Sequence, residues 1–329
     1  MRRKLLIGMT LLFALSVNVQ ATPVVAVDIA PLHSLVSQVM AGVGEPKLLI
    51  PAEASPHFYN LRPSEAKALA NADVVFWIGE GLTPWLAKAM KNVASAAQKI
   101  EVLDIEGTTT YRFREGATFE SHDHAEEQSQ KEGHKDKHHD DHKDHGHDDH
   151  KDHGHDDHKD HEHAHHDHDE KHDDHEKHDA HHHHQGSDPH AWLDPENAKR
   201  WLMVIAETLS KQDAQNAATY NRNAAKAIAS LDNLIQTTQS KISALGNPKF
   251  VVFHDAYQYF ERRFGIAAAG SIAFSNAEDP SPARIKDIRD MVKTLGVNCI
   301  FTEPQYNPGL VKTVFEGTPI STIGVIDPL

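Results

Sequence analysis

Apolar and polar positions over residues 23–111 switch period repeatedly. An unbroken apolar run at 24–27 reads as a buried strand, and the helical spacing of apolar residues over 32–40 as the helix that covers it. The same alternation predicts a strand at 47–50, a helix at 64–70, a strand at 73–77, a helix at 82–93 and a strand at 99–103. Strands that alternate with helices imply a parallel sheet covered on both faces. The rhythm resumes late in the chain, with strands at 250–253, 266–272, 299–302 and 320–323 and helices at 281–295 and 311–315.

Between these two stretches, Asp194-Pro195-Glu196 reads as a helix start that runs to about 210. Asp serves as N-cap, Pro fits the first helical position, and Glu favours the first turn. From 213 to about 245 there is neither Pro nor Gly, and Leu231, Leu234, Ile235, Ile242 and Leu245 keep an apolar stripe. At 1.5 Å per residue such a helix would be close to ~50 Å long, a strut able to bridge two lobes. The expected fold class is therefore α/β, with two lobes, each a parallel sheet flanked by helices, joined by one long rigid helix. The expected boundaries are 22–211 for the first lobe, 212–246 for the linking helix and 247–329 for the second lobe. The chain stops at Asp327-Pro328-Leu329 without a further helix, so the second lobe is expected to be incomplete at that end.

Composition changes this picture in one place. The 329 residues include Lys+Arg 33, Asp+Glu 48, 28 histidines and one cysteine, for a formal net charge of -15. Residues 122–184 alone carry 24 of the 28 histidines, 22 Asp or Glu and 8 Lys, a net of -14, so the remainder of the chain is close to neutral. Inside that window the unit His142-Lys143-Asp144-His145-Gly146-His147-Asp148-Asp149 recurs letter for letter at 150–157 and decays from 158. Nothing there offers a core that could offset the entropy of ordering, so the first lobe is expected to carry a disordered His/Asp-rich loop. Its functional reading is a metal-collecting arm, unselective because clustered imidazole suits zinc, copper and nickel alike. The plain alternative is a solvated spacer grown by repeat slippage. The string His161-Glu162-His163-Ala164-His165 matches the zinc-peptidase HExxH pattern, but such a match is expected by composition alone in this tract and means something only on a stable helix.

The negative balance argues against nucleic acid or an anionic membrane as partner. A single Cys rules out an intrachain disulfide framework and Cys-based zinc fingers. At the start of the chain, Arg2, Arg3 and Lys4 precede an apolar run over 5–17, followed by Val19-Gln20-Ala21. This is the pattern of a signal peptide occupying 1–21 and cut after Ala21, and the run is too short to span a bilayer. A lipid anchor needs Cys as first mature residue, whereas the one Cys is Cys299. The periplasm is the expected location, with open secretion as the alternative.

Four histidines lie outside the tract: His33, His57, His190 and His254. His33 follows Pro31 at a helix start and is expected to have a capping or surface role. His57 sits in the loop after the second strand, His190 just ahead of the helix that opens at Pro195, and His254 at the carboxyl end of a strand, where open α/β sheets bind ligands. Each alone would be an ordinary structural histidine. Together with one Asp or Glu they would fill a zinc tetrahedron with no Cys needed.

The segments around these residues resemble a known family. Ser55-Pro56-His57-Phe58-Tyr59-Asn60-Leu61-Arg62-Pro63-Ser64, Asp188-Pro189-His190-Ala191-Trp192-Leu193-Asp194-Pro195, Val252-Phe253-His254-Asp255-Ala256-Tyr257-Gln258-Tyr259-Phe260 and Thr302-Glu303-Pro304-Gln305 are similar to segments of the zinc-binding periplasmic components of zinc ABC importers, the ZnuA family. The resemblance implies two α/β lobes on a long helix, with Zn2+ as transported ligand bound between them. It also implies a membrane permease with a cytoplasmic ATPase as partner, a monomeric receptor and no enzymatic activity. By position it makes His57, His190, His254 and Asp327 the metal ligands; because Asp327 lies so near the end of the chain, Glu303 is the nearest substitute carboxylate on the sequence itself. Related manganese binders carry Glu where His254 stands, so the third His favours zinc. The family usually continues beyond the Asp-Pro-Leu segment with a helix that can hold a partner for Cys299, which is expected to be unpaired in this chain.

Two other readings stay open on the residues alone. One is a secreted zinc hydrolase, although the folded part shows no Ser-His-Asp or helical HExxH arrangement. The other is a metal storage or adhesion protein in which the His-rich tract is the whole function.

Overall fold

The computed structural model describes residues 21–114, 116, 118–119, 186–274, 277–306 and 308–329. The cleaved leader expected at 1–21, apart from Ala21, and the metal-collecting arm at 122–184 lie outside the described residues.

Two four-stranded parallel sheets share one topology. The first contains β1 (Val25–Val27), β2 (Lys47–Leu48), β3 (Val74–Trp77) and β4 (Gln98–Glu101) in the order β2-β1-β3-β4. The second contains β5 (Phe250–His254), β6 (Ser271–Ala273), β7 (Cys299–Thr302) and β8 (Thr322–Val325) in the order β6-β5-β7-β8. In both, the chain steps to one side of its first strand and then crosses to the other. A topological switch point therefore lies between β1 and β3, and another between β5 and β7.

The helices are α1 (Ala30–Met40), α2 (Pro63–Ala70), α3 (Pro84–Val93), α4 (Pro195–Gln212), α5 (Ala217–Ser243), α6 (Gln258–Phe264), α7 (Pro282–Leu295) and α8 (Pro308–Phe315). Proline opens α2, α3, α4 and α7, where its missing N–H would have no intrahelical partner anyway. Asp194 caps α4 by accepting from the Glu196 N–H, as the sequence predicts, and Ser281 caps α7 through the Arg284 N–H. β1 and β3 are wholly buried, and Trp201, Leu202, Ile205 and Leu209 of α4 close over the same core. Each such side chain contributes roughly 1.5–3 kcal/mol of burial.

The expected long helix is present and unbroken, and it begins a few residues later than expected. Asp213 is buried, and its Oδ2 accepts from Tyr220 Oη at 2.9 Å and from Asn216 Nδ2 at 2.7 Å. The chain makes a 3₁₀ turn over Ala214–Asn216 and starts again as α5. A carboxylate that can serve nearby donors breaks a helix without Pro or Gly. The 27 residues of α5 span about 40 Å rather than ~50 Å. Its buried residues, Tyr220, Ala224 and Ala227, belong to its first half, which packs on α1 and α4, while Leu234 and Leu245 are exposed.

Three other elements differ from the pattern. The strand expected at 266–272 is reduced to Ser271–Ala273, because Glu261 takes the preceding N–H groups: Ile266 N–H donates to its carbonyl and Ala268 N–H to its Oε2. Helix α6 has no counterpart among the expected elements; it closes on Gly265 at φ 68, the left-handed position that glycine favours. β8 begins two residues later than expected, since the Ser321 and Thr322 N–H groups are both engaged by the Asn298 carbonyl.

Candidate metal site

Each of the three histidines is held by a local feature. His57 lies in a 3₁₀ turn, Pro56–Phe58, pinned by Trp85 Nε1 donating to the Pro56 carbonyl at 2.9 Å. His190 precedes the 3₁₀ turn Ala191–Leu193, and His254 is the last residue of β5. The fold brings them together. Ring centroids lie 5.6 Å apart for His57 and His190, 6.1 Å for His57 and His254, and 5.2 Å for His190 and His254. One ring nitrogen from each falls within 4.8 Å of the others.

Two carboxylates orient two of these rings. Asp188 Oδ1 lies 2.7 Å from His190 Nδ1, and Glu303 Oε1 lies 2.7 Å from His254 Nδ1. Each carboxylate accepts the Nδ1 proton, which leaves Nε2 with its lone pair; these two Nε2 atoms face each other at 3.3 Å. Facing lone pairs repel unless a cation or proton stands between them. Burial, and next the neighbouring His254, hold His190 well below its ordinary range; burial and then both other histidines do the same to His57. Both rings are therefore neutral near pH 7, the form that ligates metal. Burial pushes Asp188 up to about 6, against the hydrogen bonds from the His190 N–H at 3.0 Å and Gln258 Nε2 at 3.1 Å.

The cavity at this point is about 10 Å³, lined by Ser55, the three histidines, Trp192 and Glu303 among others. That is room for one ion or one water-sized species. Asp327, the fourth expected ligand, is not among the residues brought together. It is exposed, and its Oδ1 accepts from Gln305 Nε2 at 2.7 Å and from the Leu329 N–H at 3.0 Å. Glu303 is buried at the cavity wall. His33 is structural: Nε2 pairs with the Pro46 carbonyl at 3.1 Å. Cys299 is a half-buried free thiol on β7.

The sequence reading missed the two groups that brace the site. Asp188 stands two residues before His190 in Asp-Pro-His, and that spacing is the signal by which it could have been found. Arg114 carries no such signal. Its guanidinium pairs with Asp255, the residue after His254, and with Glu261 at 2.7 Å, and it stacks on Phe119. Around it residues 111–114 and 187–188 meet α6. Tyr259 Oη donates to the Asp188 carbonyl and accepts the Tyr111 N–H, and Arg112 and Ser187 form an antiparallel bridge.

A family model described as ZnuA, zinc-uptake complex component A, periplasmic, matches residues 25–329. The chain belongs to this family. Among its relatives, the high-affinity zinc uptake system protein ZnuA of Brucella abortus (strain 2308) is 45% identical over 305 residues, 93% of this chain and 83% of that protein. The ZnuA protein of Paracoccus denitrificans is 40% identical over 306 residues, with the same 93% and 83% coverage. A crystal structure of ZnuA superposes with a TM-score of 0.64 at 20% identity, covering 93% of this chain and 92% of that one. That likeness carries the ZnuA-type fold.

Proposed function

We propose that the protein is the periplasmic receptor of a zinc ABC importer. Zn2+ is its cargo, taken by His57, His190 and His254 and closed by the carboxylate of Asp327, which exchanges its Gln305 partner for the ion. The loaded receptor, a monomer released from its signal peptide after Ala21, delivers the ion to a membrane permease with a cytoplasmic ATPase. The His-rich tract at 122–184 gathers zinc weakly and raises its local concentration. Family membership and the convergence of three ring nitrogens within 4.8 Å support this reading, and the latter carries it.

A site closed by four protein ligands leaves no open position for an attacking water, so the chain acts as a carrier rather than a hydrolase. Among the described residues no helix is long and apolar enough to cross a membrane.

Zinc titration of protein lacking residues 122–184 tests the proposal. One tight site is expected to survive the deletion and to disappear with His57→Ala or His254→Ala. Loss of all zinc binding on deletion would assign the function to the tract instead, and hydrolytic turnover by the purified zinc form would assign it to an enzyme.

A further inference from the structure

We infer that Glu303 is a positioning residue for zinc capture: it aims the ring of His254 and places a negative charge directly behind it. The inference rests on the receptor reading above, and nothing in the family resemblance gives Glu303 this task.

Three observations carry it. The pairing of β5 with β7 runs Phe250↔Cys299, Val251↔Ile300 and Val252↔Phe301, and the same register carried two residues further sets His254 opposite Glu303. The two side chains thus leave neighbouring strands at their carboxyl ends, at the switch point of the second sheet. Secondly, the Glu303 Oε1 contact of 2.7 Å consumes the Nδ1 proton of His254, so the proton sits away from the cavity and the lone pair of Nε2 faces into it. An imidazole backed by a carboxylate is also a more basic ligand than one backed by a carbonyl. Thirdly, Glu303 is 3% exposed, and among the described residues the neutral hydroxyl of Tyr257 stands beside it while no Lys or Arg pairs with it. A buried carboxylate charge so lightly served is costly unless a cation shares its surroundings. A divalent ion held by the neighbouring ring supplies that compensation.

Asp188 does the corresponding work for His190, with three hydrogen-bond donors around it. Glu303 instead reaches the ring of His254 from the end of the neighbouring strand β7. Its remaining neighbours in the cavity wall, Tyr306 and Gln305, bring no positive charge.

The test uses the full chain in a chelator buffer that keeps the weak imidazole sites of the tract empty. Glu303→Gln keeps an acceptor for Nδ1 and removes the charge; Glu303→Ala removes both. Zinc affinity is expected to fall roughly 10–100-fold in Glu303→Ala and by an intermediate factor in Glu303→Gln. With Co2+ as spectroscopic probe, Glu303→Gln should retain the visible bands of the native site, whereas Glu303→Ala should shift or weaken them as the ring loses its orientation. A purely structural role would lower the melting point of both metal-free variants and leave affinity within about twofold of native, and that result would overturn the inference. If Glu303→Ala fails to fold, the near-isosteric Glu303→Gln decides: unchanged affinity refutes the inference, and a several-fold loss supports it. Failure of the receptor reading is distinguishable, because the native chain would then hold no tight zinc or His254→Ala would bind it normally.

Discussion

At the end of β1, the buried carboxylate of Asp28 accepts from the Ile29 and Ile78 backbone N–H groups, both at 2.7 Å; at the end of β5, His254 gives its Nδ1 proton to Glu303 at the same distance. The two sheets have the same strand order, and each residue stands at the carboxyl end of the strand from which the chain steps both ways. In the first sheet the switch point is stitched shut by main-chain donors. In the second it is lined by side chains, and an imidazole nitrogen is left facing the cavity. A shared fold therefore supplies the place, and the residue put there decides whether it is used. The cores differ in the same sense. Around the first sheet one continuous cluster also takes in α4 and the start of α5, whereas around the second the apolar residues divide between two smaller clusters, and Ile323 and Val325 of β8 remain exposed.

The comparison can be broken by substitution, beginning with the largest effect. Arg114→Ala leaves Asp255 and Glu261 buried without their cation and should cost about 3–5 kcal/mol, read as a lower denaturation midpoint. Because Asp255 follows His254, zinc binding should weaken along with stability; a variant that melts normally would show the bridge to be idle. Asp188→Asn should lower zinc affinity by roughly 10–100-fold, with a smaller effect on the metal-free fold. Equal affinity in a competition titration would remove Asp188 from the site.

Asp28→Asn is the counterpart in the first sheet. It turns one of two acceptors toward an N–H donor and should cost about 1–3 kcal/mol of stability while one tight zinc is still bound. Burial pushes Asp28 up to about 7 in the folded chain, from about 4 when unfolded. The native chain therefore loses stability from this group as pH rises between those values, and the variant does not. The deficit of Asp28→Asn should accordingly be largest near pH 4 and narrow above pH 7 in paired chemical denaturations; a deficit that widens with pH would reverse the assignment. Smallest of all, Lys286→Ala removes an exposed pair with Asp290 on α7 and should leave both the melting midpoint and zinc affinity unchanged.

Much of this architecture was legible in the chain. The apolar runs of β1 and β3 and the Asp-Pro-Glu start of α4 lie where local chemistry puts them, because their signals are carried by residues within a few positions of one another. Three isolated histidines could likewise be separated from the 24 in the tract, by their setting beside strand ends and helix starts. A boundary near 211–213 was legible, but the 3₁₀ turn that delays α5 to Ala217 was not, since it depends on a buried carboxylate meeting Tyr220 and Asn216. The short β6 was hidden for a similar reason: Glu261 takes the N–H groups that a longer strand would have offered to its neighbour.

What the sequence determined by itself was the alternation of strands and helices, the location of the charge and the three histidines set apart from the tract, all properties of short stretches. Only the tertiary structure decided which atoms of those residues face one another. His57, His190 and His254 are far apart along the chain, and the Nε2 of the last two is set free because Asp188 and Glu303 arrive behind their rings, the second of them from a neighbouring strand. That choice depends on strand register and burial, which no local pattern encodes. It is the same reason that Asp327, obvious as a motif, lies beside Gln305 rather than among the histidines.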